Sequence, residues 1–335
     1  CFTNNEGTDY VGTAYTFQGK VYIRSRWTMG NNEYGGLGLN NIAQYSSPVQ
    51  IPGTTWNTIS LGFYPSGVTG TKTDGTGWAW GYNDEGQLGL NNRTKYSSPT
   101  QIPGTTWATI TSGSYATFGV KTDGTLWAWG SNSNGRLGLN QAHTLKLSSP
   151  VQVGSDTTWS SGDRKCLAGY EGNSGAIKTD GTLWSWGYNQ HGELGLNQSN
   201  PVKISSPVQV PGTTWSQFRT YKGQCYSIKT DGTWWAWGNN QSGELGQNNR
   251  TKYSSPVQVP GTTWSDITGG YRSAVAVKTD GTLWSWGYNS MGGLGQNSRT
   301  EVSSPIQIGT ATDWTSTNLD GEKYGKQSFV ISKKV

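Results

Sequence analysis

Charged residues are scarce in this chain. Only 13% of its 335 residues are Asp, Glu, Lys or Arg, and the net charge of +5 is spread along the chain without a Lys or Arg run. A protein that binds a nucleic-acid groove concentrates cations on one face, so this composition argues against nucleic acid as a partner. No stretch of 18 apolar residues is present. We therefore expect no membrane span.

Histidine and cysteine are also rare. His143 and His191 lie in different loops without a carboxylate at metal-ligand spacing, and no nucleophile, base and oxyanion set is recognisable. We predict a protein that is not an enzyme and has no catalytic residue, metal or cofactor. The three cysteines are Cys1, Cys166 and Cys225. A bridge between Cys166 and Cys225 and a pair of unpaired thiols both remain open.

Aliphatic residues are replaced by glycine and tryptophan. The hydrophobic set makes up 32% of the chain, below the ~45 to 50% of average globular proteins, whereas there are 49 Gly and 18 Trp. Each Trp can bury roughly 150 to 250 Å², so we predict an aromatic core. A surface rich in Asn, Ser, Thr and Gly is common on secreted and particle-borne β proteins. We therefore expect an extracellular location, on a virion or a cell surface.

The chain consists of repeats of about 50 residues. Lys-Thr-Asp-Gly-Thr occurs five times, each time followed by a Trp-x-Trp-Gly segment, and the copies begin at Lys72, Lys121, Lys178, Lys229 and Lys278. Ser-Ser-Pro marks six units and ends at Pro48, Pro99, Pro150, Pro207, Pro256 and Pro305. Short alternating strands with Gly-rich turns at this period are typical of β-propeller blades rather than helical solenoids.

One unit predicts a four-stranded blade. Its strands are expected at 264–267, 273–277, 283–286 and 305–308. The Asp-Gly pair supplies the φ > 0 positions of a hairpin turn between the second and third strands, which favours a structural role for the repeated aspartates. Trp284 and Trp286 are two residues apart, so both indoles project from one face and can pack against the next blade. Pro305 leads an outer strand, because proline cannot donate to a sheet ladder.

The chain ends fall within a blade. The last unit contains a strand after Trp314 and another at 329–332, whereas 20–30 and 48–51 match third and fourth strands. We predict an all-β propeller of six blades, spanning residues 1–335 as one domain, in which the terminal strands close a composite blade. Residues 1–18 form an extension, with 10–17 as an extra strand. A seventh blade beyond this chain is the alternative.

The repeat resembles that of the regulator of chromosome condensation family. The resemblance rests on Gly-Thr-Leu-Trp-Ala-Trp-Gly followed by Asn-x-x-Gly-x-Leu-Gly, and it covers nearly the whole chain. It implies a β-propeller, typically seven-bladed, with partners that differ between members: an exchange-factor role toward a nuclear GTPase in the prototype, and inhibition of an enzyme in a secreted bacterial relative. The near-verbatim repeats look most like those of bacterial and bacteriophage surface proteins.

Residues that vary between copied units are the candidate binding residues. The loops between the first and second strands share one phase, so they emerge on one face with a Tyr, Arg and Lys composition like that of a paratope. The candidates are Tyr64, Tyr115, Arg164, Tyr170, Arg219, Tyr221, Lys222, Tyr271, Arg272 and Tyr324. A structural alternative is that these tyrosines fill the central channel. A second variable set, after each Trp-Gly strand and including Gln190-His191, is expected to form solvated turn tips.

The sequence thus predicts a rigid, non-enzymatic binding or structural module. Its partner would be a protein or glycan on a particle or cell surface, with assembly into a larger particle as an option. A soluble inhibitor of a partner enzyme is the first alternative. A GTPase exchange factor and a polysaccharide-cleaving enzyme are further alternatives. Only the acidic pairs Asp163 with Glu171 and Asp320 with Glu322 would suit such cleavage.

Overall fold

The structure is a computed structural model of the chain. It describes residues 16–17, 20–21, 26–62, 67–161, 167–169, 172–198, 203–221, 223–270, 272–318 and 330–333. Contacts divide the chain into two compact units. The first unit comprises Cys1–Ser131 and Lys146–Ser155, and the second comprises Asn132–Leu145 and Asp156–Val335. The single-domain assignment of residues 1–335 stays a prediction.

Five antiparallel sheets of four strands confirm the predicted all-β blades. Blades 1 and 2 consist of β5 Trp56–Leu61, β6 Gly67–Lys72, β7 Gly77–Gly81, β8 Tyr96–Gln101, β9 Trp107–Ser112, β10 Ala116–Lys121, β11 Leu126–Ser131 and β12 Lys146–Gln152. Blades 3 to 5 consist of β13 Leu167–Gly169, β14 Asn173–Ile177, β15 Leu183–Tyr188, β16 Lys203–Gln209, β17 Trp215–Thr220, β18 Gln224–Lys229, β19 Trp234–Gly238, β20 Tyr253–Gln258, β21 Trp264–Gly270, β22 Ser273–Lys278, β23 Leu283–Gly287 and β24 Val302–Gln307. A single turn of 3-10 helix, Ser133–Gly135, is the one helical element in the described residues.

Three two-stranded sheets complete the described strands. They pair β1 Thr16–Phe17 with β2 Lys20–Val21, β3 Trp27–Gly30 with β4 Tyr45–Gln50, and β25 Trp314–Asn318 with β26 Val330–Lys333. The β3–β4 pair corresponds to the third and fourth strands of a blade, and the β25–β26 pair to the first and second. Together with the five four-stranded sheets, these two pairs match the strands of six blades, as predicted. The predicted strand 20–30 is too long, because its first residues pair with β1 instead.

Each blade has two distinct ends. At the turn end, Lys-Thr-Asp-Gly-Thr joins the second and third strands. At the loop end, one loop joins the first and second strands and a longer one joins the third and fourth. In blade 1 the turn is closed by Gly75 N donating to Lys72 O at 3.1 Å, and by Thr76 N and Oγ1 donating to Asp74 Oδ1 at 2.9 and 2.7 Å. Only Gly75 has positive φ there. Asp74 contributes its carboxylate, which confirms the structural role of the repeated aspartates.

The paired tryptophans have unequal roles. The second indole of each pair is fully buried and donates to a carbonyl of the preceding blade. These bonds, of 2.8 to 2.9 Å, are Trp80 to Gly36, Trp129 to Gln87, Trp186 to Arg136, Trp237 to Glu193 and Trp286 to Glu244. The first indole stays half-buried at its own turn, where Trp78 Nε1 donates to Thr76 Oγ1 at 2.8 Å. The expectation that both indoles pack against the next blade is therefore wrong: only the second one leaves its blade, and it contacts the preceding one.

The fourth strand is longer than predicted. The strand β24 begins at Val302, so Pro305 lies inside it rather than at its start. The strand is at the edge of its sheet, and the register slips between Ser285 and Gly287 of its neighbour. An edge position with an irregular ladder accommodates a residue without an N–H group.

The glycine of five Leu-Gly pairs, from Gly38 to Gly246, lies against the buried indole of the following blade. Gly195 has φ +69, and a Cβ there would lie 2.9 Å from Trp237 Nε1. We expect Gly195→Ala to lower the free energy of unfolding by roughly 1 to 3 kcal/mol, because it combines left-handed strain with a steric conflict. Gly309→Ala is the matched control, since φ is +60 and no atom lies within 4 Å of the added carbon. Chemical denaturation measures both variants. If they lose the same free energy of unfolding, the strain of the positive φ accounts for the whole effect and the contact with Trp237 contributes nothing.

Candidate functional site

The loop end brings together the two variable segments that the sequence presents separately. Asn239 N donates to Gly223 O at 2.6 Å, and Tyr288 N donates to Arg272 O at 2.7 Å. In blade 2, Ser131 N donates to Tyr115 O at 2.8 Å. Because these bonds join the segment after each Trp-Gly strand to the loop between the first and second strands, both variable segments belong to one surface in each blade.

Four of the ten candidate binding residues can be placed in the structure, namely Tyr115, Arg219, Tyr221 and Arg272. The other six, Tyr64, Arg164, Tyr170, Lys222, Tyr271 and Tyr324, lie outside the described residues, as do Asp163, Glu171, Asp320 and Glu322. Tyr115, Arg219 and Arg272 are half-buried at loop ends. An Arg219 guanidinium nitrogen donates to Phe218 O at 3.2 Å, and Arg272 has a positive φ of +55.

Tyr221 packs between blades 4 and 5. Only 7% of it is exposed, and a Cβ on Gly269 would lie 2.5 Å from its ring. Its hydroxyl lies 3.2 Å from Thr268 Oγ1, and its ring is 6.1 Å from that of Tyr226. These contacts are those of a core residue. Tyr221 is therefore a core residue of these two blades rather than a surface residue, and the filling of a central channel stays a prediction.

Two buried glutamates lie beneath the loop ends of blades 3 and 4. Glu193 is 5% exposed and Glu244 is fully buried. Both precede the Leu of Gly-x-Leu-Gly, and their carbonyls accept the inter-blade indole bonds described above. The backbone is thus fixed by the fold, and it directs a carboxyl group into the interior, where an unpaired charge is costly.

Hydrogen bonds hold both carboxyl groups. Glu193 Oε2 accepts from His191 N at 2.6 Å, and Glu244 Oε2 accepts from Ser242 N at 2.6 Å. Glu244 Oε1 also accepts from Asn239 Nδ2 at 3.0 Å. Burial outweighs these bonds and raises the pKa of Glu193 to about 7 and that of Glu244 above its usual value. At neutral pH a substantial fraction of Glu193 is therefore protonated.

Further polar groups surround these carboxyls. The His191 ring lies against the Gly223 backbone together with Asn239, and His191 Nδ1 is 3.2 Å from Lys252 Nζ. Burial, followed by Lys252 and Arg272, lowers the pKa of His191. Arg272 in turn favours the charged form of Glu244. We call this set the polar centre: His191, Glu193, Gln224, Asn239, Glu244 and Arg272.

Two acceptors in the polar centre have no hydrogen-bond partner in the part of the chain that the structure describes. They are Gln224 Oε1 and Asn239 Oδ1, both on buried side chains. The Gln224 amide nitrogen is used, because it donates to Gly270 O at 3.0 Å. A buried acceptor without a partner costs about 1 to 3 kcal/mol. The polar centre can therefore gain free energy from a donor that approaches from the loop end.

The loop end of the first unit carries an aromatic pair with a cation. The rings of Tyr34 and Tyr82 are 5.0 Å apart, and Lys95 Nζ lies 4.9 and 4.8 Å from their centres. Lys95 also pairs with Asp84 at 3.4 Å. Burial and a hydrogen bond with Asp84 raise the pKa of Tyr82 to about 12. Tyr34 belongs to the segment expected to form solvated tips, yet it is half-buried in this cluster.

The sequence interpretation missed the polar centre. The position before Leu in Gly-x-Leu-Gly is Gly36, Gln87, Arg136, Glu193, Glu244 and Gly293 in the successive units. All four larger side chains are buried. A position that varies between neutral and charged residues within a strictly repeated, Gly-flanked motif is the signal that could have identified it. Its neighbours in the variable set, including Gln190 and Gln241, are exposed as expected of turn tips.

The described residues offer few groups for metal binding, membrane spanning or thiol chemistry. In the described ranges, no group of three or more His, Cys, Asp or Glu side chains could hold a metal ion. No helix there has the length and apolar character of a membrane span. Cys225 is a buried free thiol that donates to Glu193 O, and burial raises its pKa to about 12. The bridge between Cys166 and Cys225 is therefore not formed, and Cys166 lies outside the described residues.

Solved structures show the same fold. Human WBSCR16 superimposes with a TM-score of 0.70 at 21% identity, over 85% of this chain and 76% of that one. Yeast RCC1 (Prp20), solved with Kap60 bound, gives 0.72 at 18% identity, over 87% and 73%. Prp20p from Saccharomyces cerevisiae, a structure described together with its binding to Gsp1p and histones, gives 0.53 at 16% identity, over 88% of both chains.

A family model matches the repeats directly. The regulator of chromosome condensation (RCC1) repeat is found at residues 74–120, 123–162, 180–218, 231–277 and 280–316, which is more than half of the chain. A second model of the same repeat matches 107–136 and 264–292. The chain belongs to the regulator of chromosome condensation repeat family.

Proposed function

We propose that this chain is a non-enzymatic binding module that recognises a partner protein through the loop ends of its blades, on a particle or cell surface. The observation that carries the proposal is the contrast between the two ends of each blade. The turn end repeats almost verbatim, whereas the loop end concentrates the variable residues, the unpaired buried acceptors and the Tyr34, Tyr82 and Lys95 cluster.

The chemistry of the loop end fits a protein partner. Tyrosine gives amphipathic contact area at a low entropy cost, and Arg272 and Lys95 add cationic groups that can stack or pair. The unpaired Gln224 and Asn239 oxygens accept from backbone or side-chain amides. The surface location is supported by the low charge content of 13% and by the Asn, Ser, Thr and Gly bias of the chain.

The test measures binding of the purified chain to particles or cells of its source. We expect Arg272→Gly, which suits the positive φ of that residue, and Tyr34→Ala each to weaken binding about tenfold or more, as central interface residues do. Thermal stability should change little, because neither residue is fully buried.

Thr105→Ala is the matched control, since Thr105 is exposed at the turn end. It should bind as the unchanged protein does. Retained binding in both loop-end variants, or loss only in the control, would contradict the proposal. If the chain binds untreated particles but not deglycosylated ones, the partner is a glycan instead of a protein.

A further inference from the structure

The turn end of each blade contains a lysine above two indoles. In blade 1, Lys72 Nζ lies 5.2 Å from the ring centre of Trp56 and 3.8 Å from that of Trp78. The same arrangement recurs at Lys121, Lys178, Lys229 and Lys278, with distances of 4.1 to 5.1 Å. We call each set a lysine clamp. Cation–π attraction holds the ammonium in place but supplies no hydrogen-bond acceptor.

Four of the five lysine clamps have unused donors. Within the described ranges, the ammonium groups of Lys72, Lys121, Lys229 and Lys278 have no hydrogen-bond acceptor and no carboxylate within 4.0 Å. The indole N–H of the first-strand tryptophan is buried without a partner in all five clamps, at Trp56, Trp107, Trp159, Trp215 and Trp264, so Asp156 pairs with the ammonium alone. In four blades a half-buried ammonium therefore lies beside a buried indole N–H, and neither donates to an acceptor in the described residues.

In blade 3 the chain itself supplies a carboxylate to the lysine of the clamp. There the connecting segment is Gly-Ser-Asp-Thr-Thr, one residue longer than the Pro-Gly-Thr-Thr of the other four clamps. Asp156 Oδ2 forms an ion pair with Lys178 Nζ, and Asp156 Oδ1 accepts from Thr158 N at 2.9 Å. Lys178 holds the pKa of Asp156 at about 2. Asp156 is still 35% exposed, so a carboxylate reaches the ammonium from the solvent side.

A glycine occupies this position in the other four clamps. The Cβ position of Gly53 lies 3.8 Å from Lys72 Nζ and 3.6 Å from Trp56 Nε1, and that of Gly261 lies 3.5 Å from Lys278 Nζ. Since glycine has no side chain, it leaves the ammonium uncovered where Asp156 covers it in blade 3. The two sequences thus give a filled and an unfilled version of one site.

We infer that the four open clamps bind carboxylate side chains from an acidic segment of a partner protein, in the manner in which Asp156 binds Lys178. A protein segment is favoured because the occupant in blade 3 is itself an aspartate on an extended chain. Each site is a single ammonium, so each contact is weak, and the two open clamps within each compact unit reinforce one another by multivalency. The turn end is separate from the loop end, so this second surface extends the proposed function without depending on it.

The experiment uses the full chain with 15N-labelled tryptophan and the blocked peptide Gly-Ser-Asp-Thr-Thr, which copies residues 154–158. The indole N–H resonances of Trp56, Trp107, Trp215 and Trp264 should shift on titration, whereas that of Trp159 should not, because Asp156 already occupies its clamp. Lys229→Met should abolish the shift of Trp215 and keep that of Trp264. The peptide with Asn in place of Asp is the control and should cause no shift.

The variant Asp156→Asn removes the carboxylate that pairs with Lys178 and leaves the lysine and both indoles of every clamp in place. It should add Trp159 to the responding resonances. Three outcomes would overturn the inference: equal shifts with the Asn peptide, a Trp159 response in the unchanged protein that equals the others, or shifts of the same size with sodium acetate at the same concentration. The last would assign the site to small anions rather than to a protein segment.

Discussion

Replacing Trp237 by alanine is expected to lower the free energy of unfolding by about 3 to 5 kcal/mol, as for other buried large-to-small changes. The Trp237 ring is fully buried, lies 6.1 Å from that of Phe218 in a stacked arrangement and packs at 6.2 Å from Trp215. Its Nε1 donates to Glu193 O at 2.8 Å. The change therefore leaves a cavity and removes the hydrogen bond between blades 3 and 4.

Trp235→Ala is the matched control two residues away. Trp235 is half-buried: its ring lies 6.0 Å from that of Trp215, Lys229 Nζ lies 4.5 Å from its ring centre, and its Nε1 donates to Thr233 Oγ1 at 2.9 Å. Losing the aromatic contact, the cation–π contact and one hydrogen bond costs about 2 kcal/mol, less than the loss expected for the fully buried Trp237. Urea denaturation of both variants measures the difference. Equal losses would show that the two tryptophans of a pair are equivalent, contrary to the division of roles described above.

Replacing Glu193 by glutamine is expected to stabilise the protein above pH 7 and to leave it unchanged below pH 4.5. Burial raises the pKa of Glu193 from 4.5 to about 7, so the folded state binds this proton more tightly than the unfolded state. The stabilising contribution is complete below pH 4.5 and is lost as the pH rises toward 7. The loss amounts to at most about 3 kcal/mol, from 1.36 kcal/mol per pKa unit.

In blade 1 the chain itself carries glutamine at the position equivalent to Glu193. Gln87 takes the equivalent place in blade 1, where its Oε1 accepts from Glu85 N at 3.0 Å as Glu193 Oε2 accepts from His191 N. Glutamine is therefore compatible with the backbone, although the Gln87 amide nitrogen is buried without a partner in the described residues, so the pH dependence rather than the absolute stability is compared. The reciprocal change Gln87→Glu should introduce a second loss of stability over the same pH range. Chemical denaturation from pH 4 to 8 measures both, and a pH profile that is identical in all three proteins would contradict the burial argument.

The sequence predicts the order of the strands and the position of the turns, but not every strand boundary, since β24 begins at Val302 rather than Pro305. Their signals are local: the Asp-Gly turn fixes the second and third strands, and Trp284 and Trp286 fix the face of the third. The different roles of these two tryptophans depend on the preceding blade, whose Glu244 carbonyl accepts from Trp286 only after the blades pack. Alternation along a strand predicts which face a residue occupies, but not how deeply a neighbouring blade covers it.

The candidate site was predicted less completely, for a related reason. Variation between repeats predicts a concentration of Tyr and Arg at the loop end, but it could not separate Tyr221, which is buried against Thr268, from the half-buried Tyr115. Glu193 and Glu244 carry no sequence signal of burial, since glutamate is usually exposed. Each is buried because its backbone carbonyl accepts a hydrogen bond from a tryptophan of the next blade. This contact joins two repeats, so the sequence of one repeat does not reveal it.

Hydroxyl-radical footprinting tests most directly the claim that the loop ends carry the partner. The protein would be labelled in its native assembly and again after purification, and the modification of each tyrosine compared by mass spectrometry. We predict protection in the assembly at the loop-end tyrosines Tyr34, Tyr82, Tyr115, Tyr188 and Tyr288, with unchanged labelling of the edge-strand residues Tyr96 and Tyr253. Protection confined to the edge strands, or no difference between the two samples, would contradict the claim.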